Sequence, residues 1–537
     1  PSSSPSLPPP HLFPHFSLIF NYFFLPFAAS FCCCLADAPL LIESPRMESN
    51  DHQIHVMFLP FLAPGHMMPM VDMARLFAAN NAKVTIVTTT MNALRFKNTI
   101  DRDIESGRQI TVESVRFPAA EVGLPEGGEN LNSIPTPEMT FKLFHAIDLL
   151  QPYIEQLFRE RKPDCIASDY LFPWTAEVAS ELNIPRIAFS GSGFFNLCVS
   201  DSIERYQPHR NILTDTETFI VPNLPDQVAL TRSQLPDIVK TKTDFSAFFE
   251  KVKEAERKSF GVLMNSFYEL EPAYIDHFRE VIGMKAWHLG PVSLFNRDAD
   301  DKADRGDTAS VSGHNCLNWL DNKKPNSVLY ICFGSLTRFS RIQVTEIANA
   351  LEDSGHSFIW VVGKVLPNKD DDNDLQKEEW LPEGFECKAR ESSKGLIIRG
   401  WAPQILILEH PAIGGFLTHC GWNSILEGVS AGVPMVTWPI FAEQFYNEKL
   451  VTQVLKFGVP VGNEVWKLWA MQETPLINRD KIMKAVNAVM SDRGEALVMR
   501  KNATRLGELA RNAVERGGSS FNDMKTLIEE ITAFKYK

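Results

Sequence analysis

Short apolar runs, each followed by a turn and then an amphipathic helical stretch, recur along this chain from Ile54 onward. A strand that is apolar on both faces has to be covered on both faces. Parallel neighbours also need a long crossover between them, usually a helix. The repeating unit therefore predicts α/β architecture, with parallel sheets sandwiched between helices. Residues 54–59 read as the first buried strand, and Met70, Met73, Ala74 and Phe77 mark the inward face of the helix after it. Residues 83–89, 164–167, 186–189 and 262–265 continue the strand series.

The pattern lapses over residues 291–313, which are rich in Asp, Arg and Ser, and then resumes with strands at 328–333, 358–362, 396–399, 414–417 and 435–437. A chain of 537 residues is too long for one hydrophobic core. The expected organisation is a first domain over 47–290, an exposed linker over 291–313, and a second domain over 314–537 that includes the C-terminal helices. Those helices carry packing stripes at Ile482, Ala485, Val486 and Val489, and at Met524, Leu527, Ile528 and Ile531. Two doubly wound sheets facing one another bring their strands' carboxyl ends to a shared cleft, where such sheets bind ligands.

The net charge of −13 repels phosphate backbones and anionic lipid, so neither nucleic acid nor stable membrane insertion is expected; a monomer is. The nine cysteines have no C-x-x-C spacing: a cluster at Cys32, Cys33 and Cys34 is followed by six scattered ones. That usage fits a reducing, cytoplasmic compartment. Residues 1–46 are rich in Pro, Ser and Phe and hold an apolar run over 16–35 broken by Asn21 and Pro26. With no basic stretch ahead of the run, and with Met47 opening the polar approach to the first strand, they read as a non-native or disordered leader. A secretory signal is the competing reading.

The most informative stretch is residues 401–444, WAPQILILEHPAIGGFLTHCGWNSILEGVSAGVPMVTWPIFAEQ. Its strand at 414–417 runs through Thr418, His419, Cys420 and Gly421 into a helix near Asn423. The first N–H groups of that helix, with the positive end of its dipole, outline an anion site. Ser424 and Glu427 also have the spacing of a capping box, which would satisfy the helix start with no ligand.

Taken whole, the segment resembles the signature box of plant family-1 UDP-dependent glycosyltransferases, and the resemblance extends over nearly all of residues 47–537. It implies the GT-B fold: two doubly wound Rossmann-like domains, with the acceptor pocket in the first and the UDP-sugar site in the second. It implies that Trp401, beside Ala402, stacks on uracil, that Gln404 and Glu427 take ribose hydroxyls, and that His419, Asn423 and Ser424 hold the phosphates. Trp422, Glu443 and Gln444 would face the sugar, and the terminal Gln444 favours UDP-glucose over UDP-galactose or UDP-glucuronate as co-substrate. Ser335, in Phe333-Gly334-Ser335, would add a phosphate contact.

Glycosyl transfer needs a base for the acceptor's proton and stabilisation for the departing diphosphate. The first strand ends in Pro60-Phe61-Leu62-Ala63-Pro64-Gly65-His66. An imidazole titrates near neutrality, so His66 suits the role of base. By the same resemblance, Asp169 in Ser168-Asp169-Tyr170 orients His66, and the product is a β-glycoside formed with inversion. Read alone, Asp169 would be an N-cap. Phe61, Phe172, Phe194 and Phe195 are the candidate acceptor-pocket residues, suited to triterpenoids, flavonoids, related phenolics or hormones. Asp298-Ala299-Asp300 and Asp370-Asp371-Asp372 look superficially like metal-binding pairs, but both lie in polar loop runs and read as solvated charge, so no metal or other cofactor is expected. A His419-Cys420 phosphatase loop lacks the Arg it would need between Gly421 and Glu427. A non-catalytic UDP-sugar-binding protein is the remaining rival.

Overall fold

The computed structural model describes residues 53–536 apart from 135, 244–245, 308–312, 364, 367–380 and 469–473. The predicted leader, Cys32 to Cys34 and Asp370 to Asp372 lie outside the described residues. The first sheet takes strands β1 (His55–Leu59), β2 (Lys83–Thr89), β3 (Ile110–Val115), β4 (Cys165–Asp169) and β5 (Arg186–Ser190). A small antiparallel hairpin follows, β6 (Thr218–Val221) and β7 (Val228–Thr231), before β8 (Gly261–Met264) and β9 (Ala286–His288) rejoin the sheet. The second sheet holds β10 (Val328–Cys332), β11 (Ser357–Val362), β12 (Gly395–Arg399), β13 (Ile413–Thr418), β14 (Met435–Thr437) and β15 (Gly458–Pro460).

Both sheets are parallel throughout, with orders β3-β2-β1-β4-β5-β8-β9 and β12-β11-β10-β13-β14-β15. This is the two-Rossmann-domain arrangement of the GT-B fold. Alternation along the central strands explains the layering. Val56 and Phe58 of β1 enter one apolar cluster, while Met57 and Leu59 enter the cluster on the opposite face. In β10, Leu329 and Ile331 likewise part from Val328 and Tyr330. Strands absent from the sequence reading have physical reasons to be faint. Edge strand β3 is only partly buried, and β9 and β15 are three residues each.

Strand order reverses between β1 and β4 in the first sheet and between β10 and β13 in the second. At such a switch point, successive crossovers leave in opposite directions and open a crevice at the strands' carboxyl ends. The chain leaving β1 carries His66 and β4 ends on Asp169. The chain leaving β10 carries Ser335, and the chain leaving β13 carries His419.

Two expectations need correction. The linker is not simply exposed. Its helix Ala299–Asp304 leaves Asp298 and Asp300 in solvent, but Asp301 is buried and accepts from Arg75 Nη2 at 2.7 Å and Arg102 Nε at 2.8 Å. Arg75 also pairs with buried Asp103 at 2.6 Å. The low hydropathy of the segment marked it as solvated because composition cannot show where the partner charges lie. The final helix, Ser519–Lys535, was expected with the second domain. It instead packs against the first sheet, with Met524, Leu527 and Ile531 joining the cluster that holds Val56, Phe58 and Trp287. Its apolar stripe was legible, but not which sheet had an uncovered face.

Because Leu527 is fully buried in that first-sheet cluster, Leu527→Ala is expected to lower unfolding free energy by about 2–5 kcal/mol. Chemical denaturation of the full chain measures it, and a loss below about 0.5 kcal/mol would place the helix elsewhere.

Candidate active site

His66 is the third residue of the helix Pro64–Ala79, which starts directly after β1 with Pro64 at a position where the missing N–H costs nothing. Its Nδ1 lies 2.8 Å from Oδ2 of Asp169, which is fully buried at the end of β4. The other carboxylate oxygen, Oδ1, accepts from the backbone N–H of Leu171 at 3.0 Å, so the carboxylate is held at both ends. Tyr170 stacks on the imidazole with ring centroids 5.9 Å apart, and Phe61 meets it edge-on at 5.7 Å.

Burial alone would push the His66 pKa down. The charge and hydrogen bond of Asp169, helped by Glu443, outweigh it and raise the pKa above the ordinary 6.5. The pairing therefore stabilises the fold fully below about pH 6.5. That contribution fades as pH rises through the raised value.

Across the crevice, Gly421 precedes the helix Trp422–Ala431. The capping box does not form. Ser424 and Glu427 lie inside the helix, and Gln404 Nε2 donates to Ser424 Oγ at 3.2 Å and to Glu427 Oε2 at 2.6 Å. Tyr330 Oη in turn donates to Gln404 Oε1 at 3.1 Å. The His419 ring is wedged between Gly334 and Gly421, where a Cβ would come within 2.6 Å and 2.5 Å of its Nε2. Desolvation lowers the His419 pKa to about 4, and its Nδ1 has no hydrogen-bond partner. The ring is thus a neutral, buried polar group with one unpartnered nitrogen. Ser335, after Gly334, is exposed.

Trp401 donates from Nε1 to the Arg305 carbonyl at 3.2 Å, next to buried Ala402. Glu443 lies near enough to His66 for each to shift the other's titration. Burial raises its carboxyl, while its own backbone N–H, His66, Asn447 and the Trp422 backbone N–H oppose the rise. Gln444 is buried, and its side-chain oxygen accepts from the N–H groups of Ile440 at 2.9 Å and Phe441 at 3.1 Å.

Three predicted residues sit differently from expectation. The Trp422 indole is buried, not open to a crevice. It is 2% exposed, donates to the Asn265 carbonyl at 2.7 Å and presses on Gly193, where a Cβ would approach it to 2.6 Å. Phe194 and Phe195 are fully buried against Phe278 and Tyr274, not at a pocket surface. Their helix start is locked by Glu271, whose carboxylate accepts from the Phe195 N–H at 2.7 Å. Of the four candidate acceptor phenylalanines, Phe61 is the one that meets His66, with Phe172 behind it at a centroid distance of 5.9 Å; both are nearly buried too, at 2% and 3% exposed.

Sequence reasoning missed Asn265, Asn447 and Arg305. Asn265 follows β8 and donates to Asn423 Oδ1 at 3.3 Å; a polar residue closing an apolar strand was the available signal. Asn447 donates to the Cys420 carbonyl at 2.7 Å and accepts from Asn196 at 2.6 Å, bridging the halves. Asn423 Nδ2 donates to the carbonyl of Gly65, the residue before His66, at 2.8 Å. Cys420 is fully buried, and burial pushes its thiol far up, which removes the phosphatase reading.

Residues 155–504 match the family model described as UDP-glucoronosyl and UDP-glucosyl transferase. This chain belongs to the plant family-1 UDP-dependent glycosyltransferases. The transferase is 48% identical over 484 residues to the scopoletin glucosyltransferase of Nicotiana tabacum, covering 90% of this chain and 98% of that one. It is 50% identical over 485 residues to UDP-glucose flavonoid 3-O-glucosyltransferase 7 of Fragaria ananassa, covering 89% and 96%. Among solved structures, Glycyrrhiza uralensis UGT73P12 complexed with glycyrrhetinic acid 3-O-monoglucuronide superposes with a TM-score of 0.84 at 43% identity, covering 90% and 97%. Among the described residues, no helix of the transferase is long and apolar enough to cross a membrane.

Since Asp169 is what lifts the His66 pKa, Asp169→Asn is expected to bring the imidazole's titration down, below 6.5, as burial then dominates. Imidazole NMR of the full chain across pH reads this directly. An unmoved midpoint would mean that Asp169 does not control the histidine.

Proposed function

We propose that this transferase moves glucose from UDP-glucose to a hydroxyl of a small apolar plant aglycone, giving a β-O-glucoside by inversion, with no metal ion. The observation that carries the reading is the 2.8 Å bond between His66 and Asp169, one residue along the chain from the Gly65 carbonyl that Asn423 holds. With Nδ1–H donated to Asp169, the lone pair of Nε2 is left to take a proton from the acceptor hydroxyl. The acceptor oxygen then attacks the anomeric carbon from the face opposite UDP. Asp169, bonded to Nδ1, stabilises the imidazolium that forms.

Charge develops on the diphosphate as it leaves. The helix Trp422–Ala431 directs its N-terminal dipole at this end of the crevice, and neutral His419 offers a hydrogen-bonding nitrogen. Trp401 stacks on uracil beside Ala402, Gln404 and Glu427 take ribose hydroxyls, and Asn423, Ser424 and Ser335 attend the phosphates. Glu443 and Gln444 meet the sugar, with glucose favoured over galactose or glucuronate by the terminal Gln444. Phe61, edge-on to His66 with Phe172 packed behind it, gives the apolar surroundings that flat or polycyclic acceptors require. The relatives' names support that breadth: one acts on scopoletin, one on a flavonoid, and one was solved with glycyrrhetinic acid 3-O-monoglucuronide. The protein acts as a cytoplasmic monomer, in keeping with six free cysteines among the described residues and a net charge of −13.

His66→Ala is expected to cut turnover by about 10²–10⁴-fold while leaving the UDP dissociation constant within a factor of about two. Turnover is read by mass spectrometry with UDP-glucose and a mixed flavonoid, coumarin and triterpenoid panel. Near-normal turnover in this variant would remove His66 as base. Activity is also expected to persist in excess EDTA, and its loss, restored by added Mg²⁺ or Mn²⁺, would overturn metal independence.

A further inference from the structure

The segment between the two sheets is fastened to the first half by a run of charged contacts. Asn296 donates to Asp72 at 3.0 Å, Asp304 accepts from Arg102 at 2.8 Å, and Asp307 accepts from Arg95 at 2.9 Å. From this anchored strap one side chain enters the donor cradle. Arg305 has its Nε 2.8 Å from Asp72 Oδ2 and its Nη1 on Glu427 Oε1, and all three side chains are 5–6% exposed. Asp72 belongs to the helix that begins with the His66 loop, and Glu427 to the helix at the anion site. The guanidinium therefore spans the two helices that the reaction has to hold in register.

We propose that Arg305 is a positioning residue for the donor ribose: it orients the Glu427 carboxylate and ties it, through Asp72, to the helix bearing His66. This rests on the reading of Glu427 as the ribose acceptor. An ionised carboxylate offers about four acceptor positions. Gln404 occupies one on Oε2 and Arg305 occupies one on Oε1, which leaves two for the 2′- and 3′-hydroxyls of a ribose. Without Arg305, Glu427 would be a buried carboxylate facing a second one, Asp72, with no cation between them. Like charges at close range repel, so the Glu427 side chain would turn away from Asp72 and lose its aim as a double acceptor. Lysine cannot replace the arginine, because a single ammonium lacks the fork that engages two carboxylates on different helices.

The test is calorimetric binding of UDP and of 2′,3′-dideoxyuridine 5′-diphosphate to the full chain, which needs no acceptor. Hydroxyl bonds to a charged group predict that the wild type prefers UDP by about 10- to 100-fold. Glu427→Gln is expected to reduce this preference several-fold, and Arg305→Met to reduce it comparably, with Arg305→Lys between Arg305→Met and wild type. A purely structural role would weaken both ligands equally and leave the ratio intact. If Glu427→Gln keeps the full preference, the ribose assignment itself fails. If Glu427→Gln loses it while Arg305→Met retains it, Arg305 does not act through Glu427 and the proposal is overturned. Should Arg305→Met not fold, Arg305→Lys decides, and an unchanged ratio there overturns the proposal equally.

Discussion

The hydrogen bond from Asn423 to the Gly65 carbonyl, 2.8 Å long, makes one site out of two sheets. Each sheet has its own switch-point crevice, with His66 and Asp169 at one and His419 and the start of the helix Trp422–Ala431 at the other. The bond pins the first turn of one crevice's helix to the loop entering the other. Around it, the Trp422 indole seated on Gly193 and the Asn196–Asn447 pair hold the same face shut with apolar contact and amide bonds. Backbone carbonyls serve well as such anchors because their positions are fixed by the sheet or helix they end, whereas a side-chain pair would have to be ordered first.

The dyad follows from topology as much as from residue identity. In the first sheet β1 and β4 are adjacent although they are not consecutive in sequence, and both run toward the crevice. A residue just past one and a residue closing the other must therefore meet. Burying Asp169 completely would be costly for an isolated carboxylate. Here His66 and the Leu171 N–H supply its hydrogen bonds, and the same burial strengthens its hold on the imidazole. His419, just past β13, occupies in the second sheet the place that Asp169 holds at the end of β4 in the first, under different electrostatics. With no carboxylate as partner, it stays neutral.

The final helix and the strap between the sheets show how the halves are kept in register. The last helix leaves the second half and closes over β9 of the first, so the chain crosses the crevice a second time. The strap crosses it first and carries buried charge, which a chain retains only where each ion finds partners. Together the two crossings restrict how the halves can slide.

The sequence by itself determined the elements whose signal is local. These are the apolar strands buried on both faces, the turns that follow them, the apolar stripe of the last helix, and the 401–444 box. The placing of His66 beyond one strand and Asp169 at the end of another was legible too. Tertiary structure alone decided which partners long-range contacts select. It made Trp422 a buried wedge, sent Phe194 and Phe195 into the core, turned Ser424 and Glu427 from a cap into a network with Gln404, and drew Arg305 from a polar run to a buried position between two helices. Hydrophobic periodicity is written along the chain. The partner of a charge or an indole is fixed only when segments more than a hundred residues apart are brought together.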